Sequence, residues 1–235
     1  MADDRKLPSA PSSRAEVDAF LQKVALTPVT PDAGERGRLI FAMDATGSRE
    51  ARWDQASHIQ AEMFVATTAL GGLEVQLAYY RGFREFKAAP WVTDAKQMLA
   101  RMTRVYCLAG NTQIARVLSH AIRETKEKKV NALVFVGDCL EEDVDHLGHL
   151  AGQLGLLGVP CFMFHEGFDQ IAARAFQQIA RLSGGAFCRF DANSADQLKE
   201  LLSAVAVYAA GGRKALADLS NRRGGMVLQL THQLK

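Results

Sequence analysis

Three short, almost uninterrupted apolar runs constrain this chain most: residues 38–44 (RLIFAMD), 131–138 (NALVFVGD) and 161–166 (CFMFHE). A strand with one wetted face alternates apolar and polar residues, whereas a strand covered on both faces does not. The runs therefore predict central strands of a parallel sheet. Parallel neighbours need long crossovers, and the segments between the runs carry helical spacing. Ile114, Val117, Leu118, Ala121 and Ile122 recur on one helix face. Residues 143–157 and 172–182 also read as helices, closed by Gly158-Val159-Pro160 and by Gly184-Gly185.

The remaining segments fill in the order. Ser13 precedes a helical pattern of Val17, Phe20, Leu21 and Val24, which Pro28 and Pro31 end. Residues 53–70 read as a helix stopped by Gly71-Gly72. Residues 73–80 and 84–89 read as an antiparallel hairpin turning at Arg81-Gly82, with the second strand at the sheet edge. A short helix is expected over 93–102, a last core strand over 186–190 and a final helix over 194–210. Alternation of strand and helix implies right-handed crossovers and helices on both faces of the sheet. The expected organisation is a lead-in without order over 1–12 and one α/β domain over 13–210. An extension over 211–235 would pack on that domain or on a partner.

A chain of 235 residues with 48% hydrophobic and 23% charged residues suits a soluble globular protein. A net charge of +2 supplies no field that would draw it to nucleic acid or an anionic membrane. The polar start, MADDRKLPSAPSSR, has no apolar signal core, and no run is long enough to span a bilayer. Cys107, Cys139, Cys161 and Cys188 form no CxxC or other metal-ligand spacing. Reduced thiols and a cytoplasmic location are the expectation.

Oxygen-bearing residues gather at the carboxyl ends of the strands, where open α/β sheets bind ligands. They are Asp44-Ala45-Thr46-Gly47-Ser48, then Gly110-Asn111-Thr112, then Gly137-Asp138 with Glu141, Glu142 and Asp143 behind it. Positions 44, 46 and 48 can converge on an extended loop. A hard cation such as Mg²⁺ wants about six oxygens at roughly 2.0–2.1 Å, usually including water. Two carboxylates and neutral hydroxyls meet that need and leave one position exchangeable for a carboxylate from outside.

This pattern resembles the metal-ion-dependent adhesion site of von Willebrand factor A domains. That site has Asp-x-Ser-x-Ser after the first strand, a Thr opening a later helix and an Asp after the fourth strand. The element order over about 36–208 is similar too. The resemblance implies a three-layer, Rossmann-like fold: a six-stranded, mostly parallel sheet with one antiparallel edge strand. It implies Asp44, Thr46, Ser48, Thr112 and Asp138 as metal ligands, and Asn111, Glu141 and His165 as a partner-binding rim. Mg²⁺ is the expected ion, with Mn²⁺ or Ca²⁺ as alternatives. The implied function is a scaffold or adaptor that docks an Asp or Glu of a protein partner. Two departures stand out: Thr46 replaces the first Ser, and Val136-Gly137-Asp138-Cys139 stands where Thr-Asp-Gly is usual.

Plainer alternatives exist. Thr112 or Asn111 could cap the following helix, and Ser48 could cap the helix before Trp53. His146 and His149, near Asp143 and Asp145, could form a second metal site but suit an exposed helix face better. Tyr79, Tyr80, Phe83, Phe86 and Trp91 read mainly as packing around the hairpin. Asp44-Ala45-Thr46-Gly47-Ser48 also resembles the nucleophile motif of haloacid-dehalogenase-like phosphohydrolases, with Asp44 attacking phosphate. Thr46 stands where that group has an acid, and no cap insertion follows the first strand. A metal-free interaction domain of the same fold is the third alternative. The first strand is not followed by GxGxxG, which argues against a dinucleotide site.

Overall fold

The computed structural model describes residues 13–26, 36–52 and 73–190, together with 204, 205 and 209. The expected lead-in, the helix over 53–70, most of the final helix and the segment over 211–235 lie outside the described residues.

The apolar runs form the strands they predict. β1 (Gly37–Asp44), β4 (Ala132–Gly137) and β5 (Cys161–Glu166) are buried along their whole length. β2 (Leu73–Arg81) and β3 (Glu85–Ala88) make the hairpin, and β6 (Ala186–Phe190) closes the set. The sheet runs β3-β2-β1-β4-β5-β6. Every neighbouring pair is parallel except β2 with β3. β3 is short and polar, a form that blunts a sheet edge.

Alternation along the strands divides the core into two layers. Leu39, Phe41, Met43, Val134, Val136, Phe162 and Phe164 point to one face. There they meet Val17, Phe20 and Leu21 of α1 (Arg14–Leu26) and Met98 and Met102 of α2 (Ala95–Met102). Ala204, Val205 and Ala209 are helical and buried in the same cluster. Ile40, Ala42, Leu133, Phe135 and Met163 point to the other face. They pack on α3 (Ile114–Glu127), α4 (Val144–Leu156) and α5 (Gln170–Ser183). Each fully buried Leu, Phe or Met contributes about 1.5–3 kcal/mol of transfer free energy, so both layers are needed to hold the sheet. Among the described residues no helix is long and apolar enough to cross a membrane.

Local chemistry sets the helix ends. Ser13 and Glu16 form a reciprocal capping box, Ser13 N to Glu16 Oε2 at 2.6 Å and Glu16 N to Ser13 Oγ at 3.3 Å. Asp94, Asp143 and Asp169 cap α2, α4 and α5. Capped by Asp169, α5 starts at Gln170, two residues ahead of the expected position 172. Gly184, at φ 75°, ends it in the left-handed conformation that glycine favours.

Trp91 belongs to the opposite end of the sheet from the acidic loops. Its ring lies 3.8 Å from the Arg38 guanidinium, and its Nε1 donates to Glu124 Oε2 at 2.8 Å. Arg38 in turn donates to Glu124 and to the Lys128 carbonyl. That network ties β1 to α3 and explains Trp91 as a structural residue.

One glycine is demanded by contact. A Cβ on Gly110 would lie 2.0 Å from the Gly82 carbonyl carbon and oxygen. The loop before α3 therefore touches the β2–β3 turn backbone to backbone. Gly110→Ala is expected to cost about 1–3 kcal/mol and to displace the segment carrying Thr112, as urea unfolding of the two proteins would measure.

Candidate metal centre

Register brings the two key aspartates together. β1 and β4 are neighbours, with Met43 opposite Val136. Asp44 and Asp138 thus leave adjacent strands at the same end. Gly137 makes room: a Cβ there would meet the Phe135 ring at 2.8 Å and sit 3.5 Å from Asp44 Cβ. Carboxylate oxygens of Asp44 and Asp138 and the Sγ of Cys139 all lie within 4.8 Å of one another.

Asp44 is fully buried and held from two sides. Its Oδ1 accepts from Thr46 N at 2.7 Å, and its Oδ2 accepts from Tyr80 OH at 2.9 Å. Burial pushes its carboxyl above the ordinary range. The Thr46 hydrogen bonds and the Arg49 charge oppose that shift, and Asp138 adds to it. Burial and the Asp44 charge raise the Tyr80 phenol well above its ordinary value, so Tyr80 remains a donor. The Thr46 and Ser48 hydroxyls are 3.1 Å apart, Thr46 buried and Ser48 exposed.

Behind the first loop lies a buried ion pair. In the 3-10 helix Gly47–Arg52, Arg49 is 1% exposed and reaches Glu166, 3% exposed, at the end of β5. Its Nε donates to Glu166 Oε2 at 3.0 Å, while NH1 donates to the Asp44 carbonyl at 2.6 Å. The guanidinium thereby clamps the backbone that carries the first ligand.

The other loops interlock with this one. Leu108 N donates to the Ala45 carbonyl at 3.0 Å, and Gly82 N donates to the Leu108 carbonyl. Thr112 N donates to Glu141 Oε2 at 3.1 Å, and Glu141 N donates to Thr112 Oγ1 at 3.0 Å. Neither Thr112 nor Asn111 caps α3. The helix starts at Ile114, and Gln113 at its N-cap makes no side-chain cap. Glu142, from the β4–α4 loop, accepts from Ile114 N at 2.5 Å and Ala115 N at 2.8 Å. An anion at a helix N-terminus is favourable, and here it welds two loops of the site together.

The expected rim residues are placed differently from one another. Asn111 and Glu141 are exposed, Glu141 with its carboxylate turned to Thr112. His165 is fully buried beneath the rim, contrary to the expectation that it lines it. Its Nε2 donates to the Asp138 carbonyl at 3.1 Å, and its ring packs on Phe176 and Phe187. His165 is the penultimate residue of β5, a fully covered strand, and alternation puts it on the same face as Met163, inside the core. His146 and His149 are exposed on α4, and among the described residues they join no ligand cluster.

Burial lowers the pKa of both His165 and His120, the latter 2.7 Å from Gln76 Oε1. Burial thus favours the neutral form of both in the fold. The unfolded chain then binds more protons between their depressed values and about 6.5, so stability rises with pH across that window and is lost on acidification. The melting temperature is expected to fall from about pH 7 to about pH 5, and less steeply in His120→Gln.

The donors suit a divalent cation. Asp138 Oδ1 is closed to solvent and takes no hydrogen bond among the described residues. A buried carboxylate oxygen without a donor is costly, and a cation would relieve it. Asp44 and Asp138 bring carboxylate oxygens to that point, and the paired Thr46 and Ser48 hydroxyls lie on the loop that follows Asp44. Cys139 was not among the residues the motif suggests, and its only sequence signal is its place directly after Asp138.

No protein-family model matches the sequence, and no curated relative does. Solved structures do match the fold. A von Willebrand factor type A protein from Catenulispora acidiphila is 14% identical with a TM-score of 0.61, over 73% of this chain and 43% of that one. The SpRpn10 VWA domain is 13% identical with a TM-score of 0.57, over 73% and 94%. Proximal thread matrix protein 1 from the mussel byssus, solved with a zinc-occupied MIDAS motif, is 14% identical with a TM-score of 0.58, over 75% and 47%. The chain thus spans less than half the length of the Catenulispora and mussel proteins. These likenesses concern the fold, and on them, with a six-stranded sheet that is parallel except at its β2–β3 edge, the chain folds as a von Willebrand factor A-type domain.

Proposed function

We propose that the chain is a metal-dependent protein-binding module, a cytoplasmic scaffold or adaptor whose divalent cation engages an acidic residue of a partner. The carrying observation is the convergence of Asp44 and Asp138 with an Asp138 oxygen that is buried and takes no hydrogen bond among the described residues. In this proposal Asp44, Thr46, Ser48, Thr112 and Asp138 hold the cation directly or through water. A carboxylate from the partner takes the exchangeable position. Oxygen donors alone favour Mg²⁺, with Mn²⁺ or Ca²⁺ next. Exposed Phe83 and Leu108 on the β2 side and Phe168 beyond β5 offer apolar contacts at the same end of the sheet.

Nothing in the geometry favours the phosphohydrolase alternative. Asp44 is fully buried, which keeps a phosphate ester from its carboxylate, whereas a bare cation needs only a lone pair, and each oxygen keeps one beside the hydrogen bond it accepts.

Titration with Mg²⁺ or Mn²⁺, followed by thermal unfolding, tests the proposal. A ligand at 100 times its Kd stabilises by about 2.7 kcal/mol, or about 5–10 °C for a domain of this size. The parent is expected to show that rise and Asp138→Ala to lack it. Equal curves with a divalent ion and with chelator would refute metal dependence.

A further inference from the structure

The donor set at this site extends beyond oxygen. Cys139 follows Asp138 directly, is half-buried, and places its Sγ within 4.8 Å of carboxylate oxygens of both Asp44 and Asp138. We propose that Cys139 is a direct metal ligand and that the site therefore selects Zn²⁺ over Mg²⁺. This rests on the metal-binding proposal above and specifies the ion.

Mg²⁺ dehydrates reluctantly and prefers oxygen in an octahedron. Thiolate is a soft donor and suits zinc. Zinc accepts mixed sulfur and oxygen ligands in a tetrahedron, with bonds of roughly 2.3 Å to sulfur and 2.0–2.2 Å to carboxylate oxygen. Donors around such an ion lie ~3.5 Å apart. Three atoms already within 4.8 Å reach that spacing by small side-chain rotations. On Asp138, one of those three ligands, Oδ1 is buried and takes no hydrogen bond among the described residues, so a dication would satisfy it.

The sulfur is also held in place. His165 anchors the Asp138 carbonyl from below, and the paired Thr112–Glu141 hydrogen bonds fix the loop two residues on. Ligation forms one Zn–S bond and breaks one S–H bond, with the proton released to solvent. Two carboxylates and one thiolate make three protein ligands. The fourth position is left for water, and a partner carboxylate can replace that water.

The full chain loaded with Co²⁺ gives a direct readout, because a thiolate ligand produces a sulfur-to-cobalt charge-transfer band in the near ultraviolet. The parent is expected to show the band, Cys139→Ser to lose it, and Cys107→Ser to keep it. Zn²⁺ affinity, by competition with a chromophoric chelator, is expected to fall at least about 10–100-fold in Cys139→Ser, while Mg²⁺ affinity stays within a few-fold. Three outcomes overturn the inference: a parent spectrum without the band, a band that survives Cys139→Ser, or an unchanged Zn²⁺ affinity in that variant. Where one of these occurs and Mg²⁺ raises the parent's melting temperature, only the thiol ligand fails and the oxygen site stands. If no divalent ion binds the parent, both fail. The cobalt spectrum of the parent needs no variant, so a Cys139→Ser chain that folds poorly would not blunt the test.

Discussion

Arg49→Ala is expected to lower the unfolding free energy by about 3–5 kcal/mol, the cost of removing one member of a buried ion pair. For a domain of this size that is a fall in melting temperature of about 6–20 °C. The guanidinium and the Glu166 carboxylate are both nearly inaccessible and meet at 2.9 Å. Charge alone does not account for the role of Arg49, because NH1 also donates to the Asp44 carbonyl. The variant therefore loosens the loop that presents Asp44 and should weaken divalent-ion binding as well as the fold. A second variant separates the effects. Replacing a whole buried pair by apolar residues of similar volume is often neutral or stabilising. Arg49→Met with Glu166→Leu should thus recover stability over the single variant, yet bind the cation more weakly than the parent because the clamp on Asp44 is gone. If the double variant bound the ion as tightly as the parent, Arg49 would be a stability residue only.

The scaffold was readable because its determinants are local or periodic. Unbroken apolar runs at 38–44, 131–138 and 161–166 specify strands covered on both faces, and the hairpin follows from its turn. Asp44 and Asp138 were readable as well, since each ends such a run. What was hidden depends on register between distant segments. Tyr80 becomes a donor to Asp44 only because Asp44 pairs with Tyr80 across β1 and β2. Glu166 finds Arg49 from the end of β5, a partner 117 residues away in sequence. Glu142 caps α3 from another loop, a role that no residue near Asn111 or Thr112 in sequence signals. Cysteine spacing, CxxC or otherwise, cannot reveal that Cys139 brings a thiol to carboxylates on neighbouring strands. The end of an apolar run suggests a place on the rim for His165. That position is covered on both faces in the fold, and the ring turns inward against Phe176 and Phe187.

Asp44→Asn is expected to reverse its effect on stability according to whether a divalent ion is present. Burial raises the Asp44 pKa, and the neighbouring Asp138 adds to that shift. A carboxyl whose folded pKa is raised contributes stability that is full below its unfolded value and is lost as pH rises through the folded value. Near neutral pH, then, the ionised Asp44 burdens the metal-free fold. Asparagine removes that charge and keeps the shape. Its carbonyl oxygen can still accept from Thr46 N, and its amide can donate to the Tyr80 oxygen. In chelator the variant should therefore melt at the parent's temperature or above it. With a saturating divalent ion the order reverses. The parent gains about 5–10 °C at 100 times its Kd, while the variant, short of one anionic ligand, binds at least about 100-fold more weakly and barely moves. Only a group that is strained without the cation and satisfied by it produces this crossing of melting curves. A structural aspartate predicts a loss under both conditions, and an idle one predicts no change under either. Thermal unfolding of both proteins, with chelator and with excess ion, distinguishes the three.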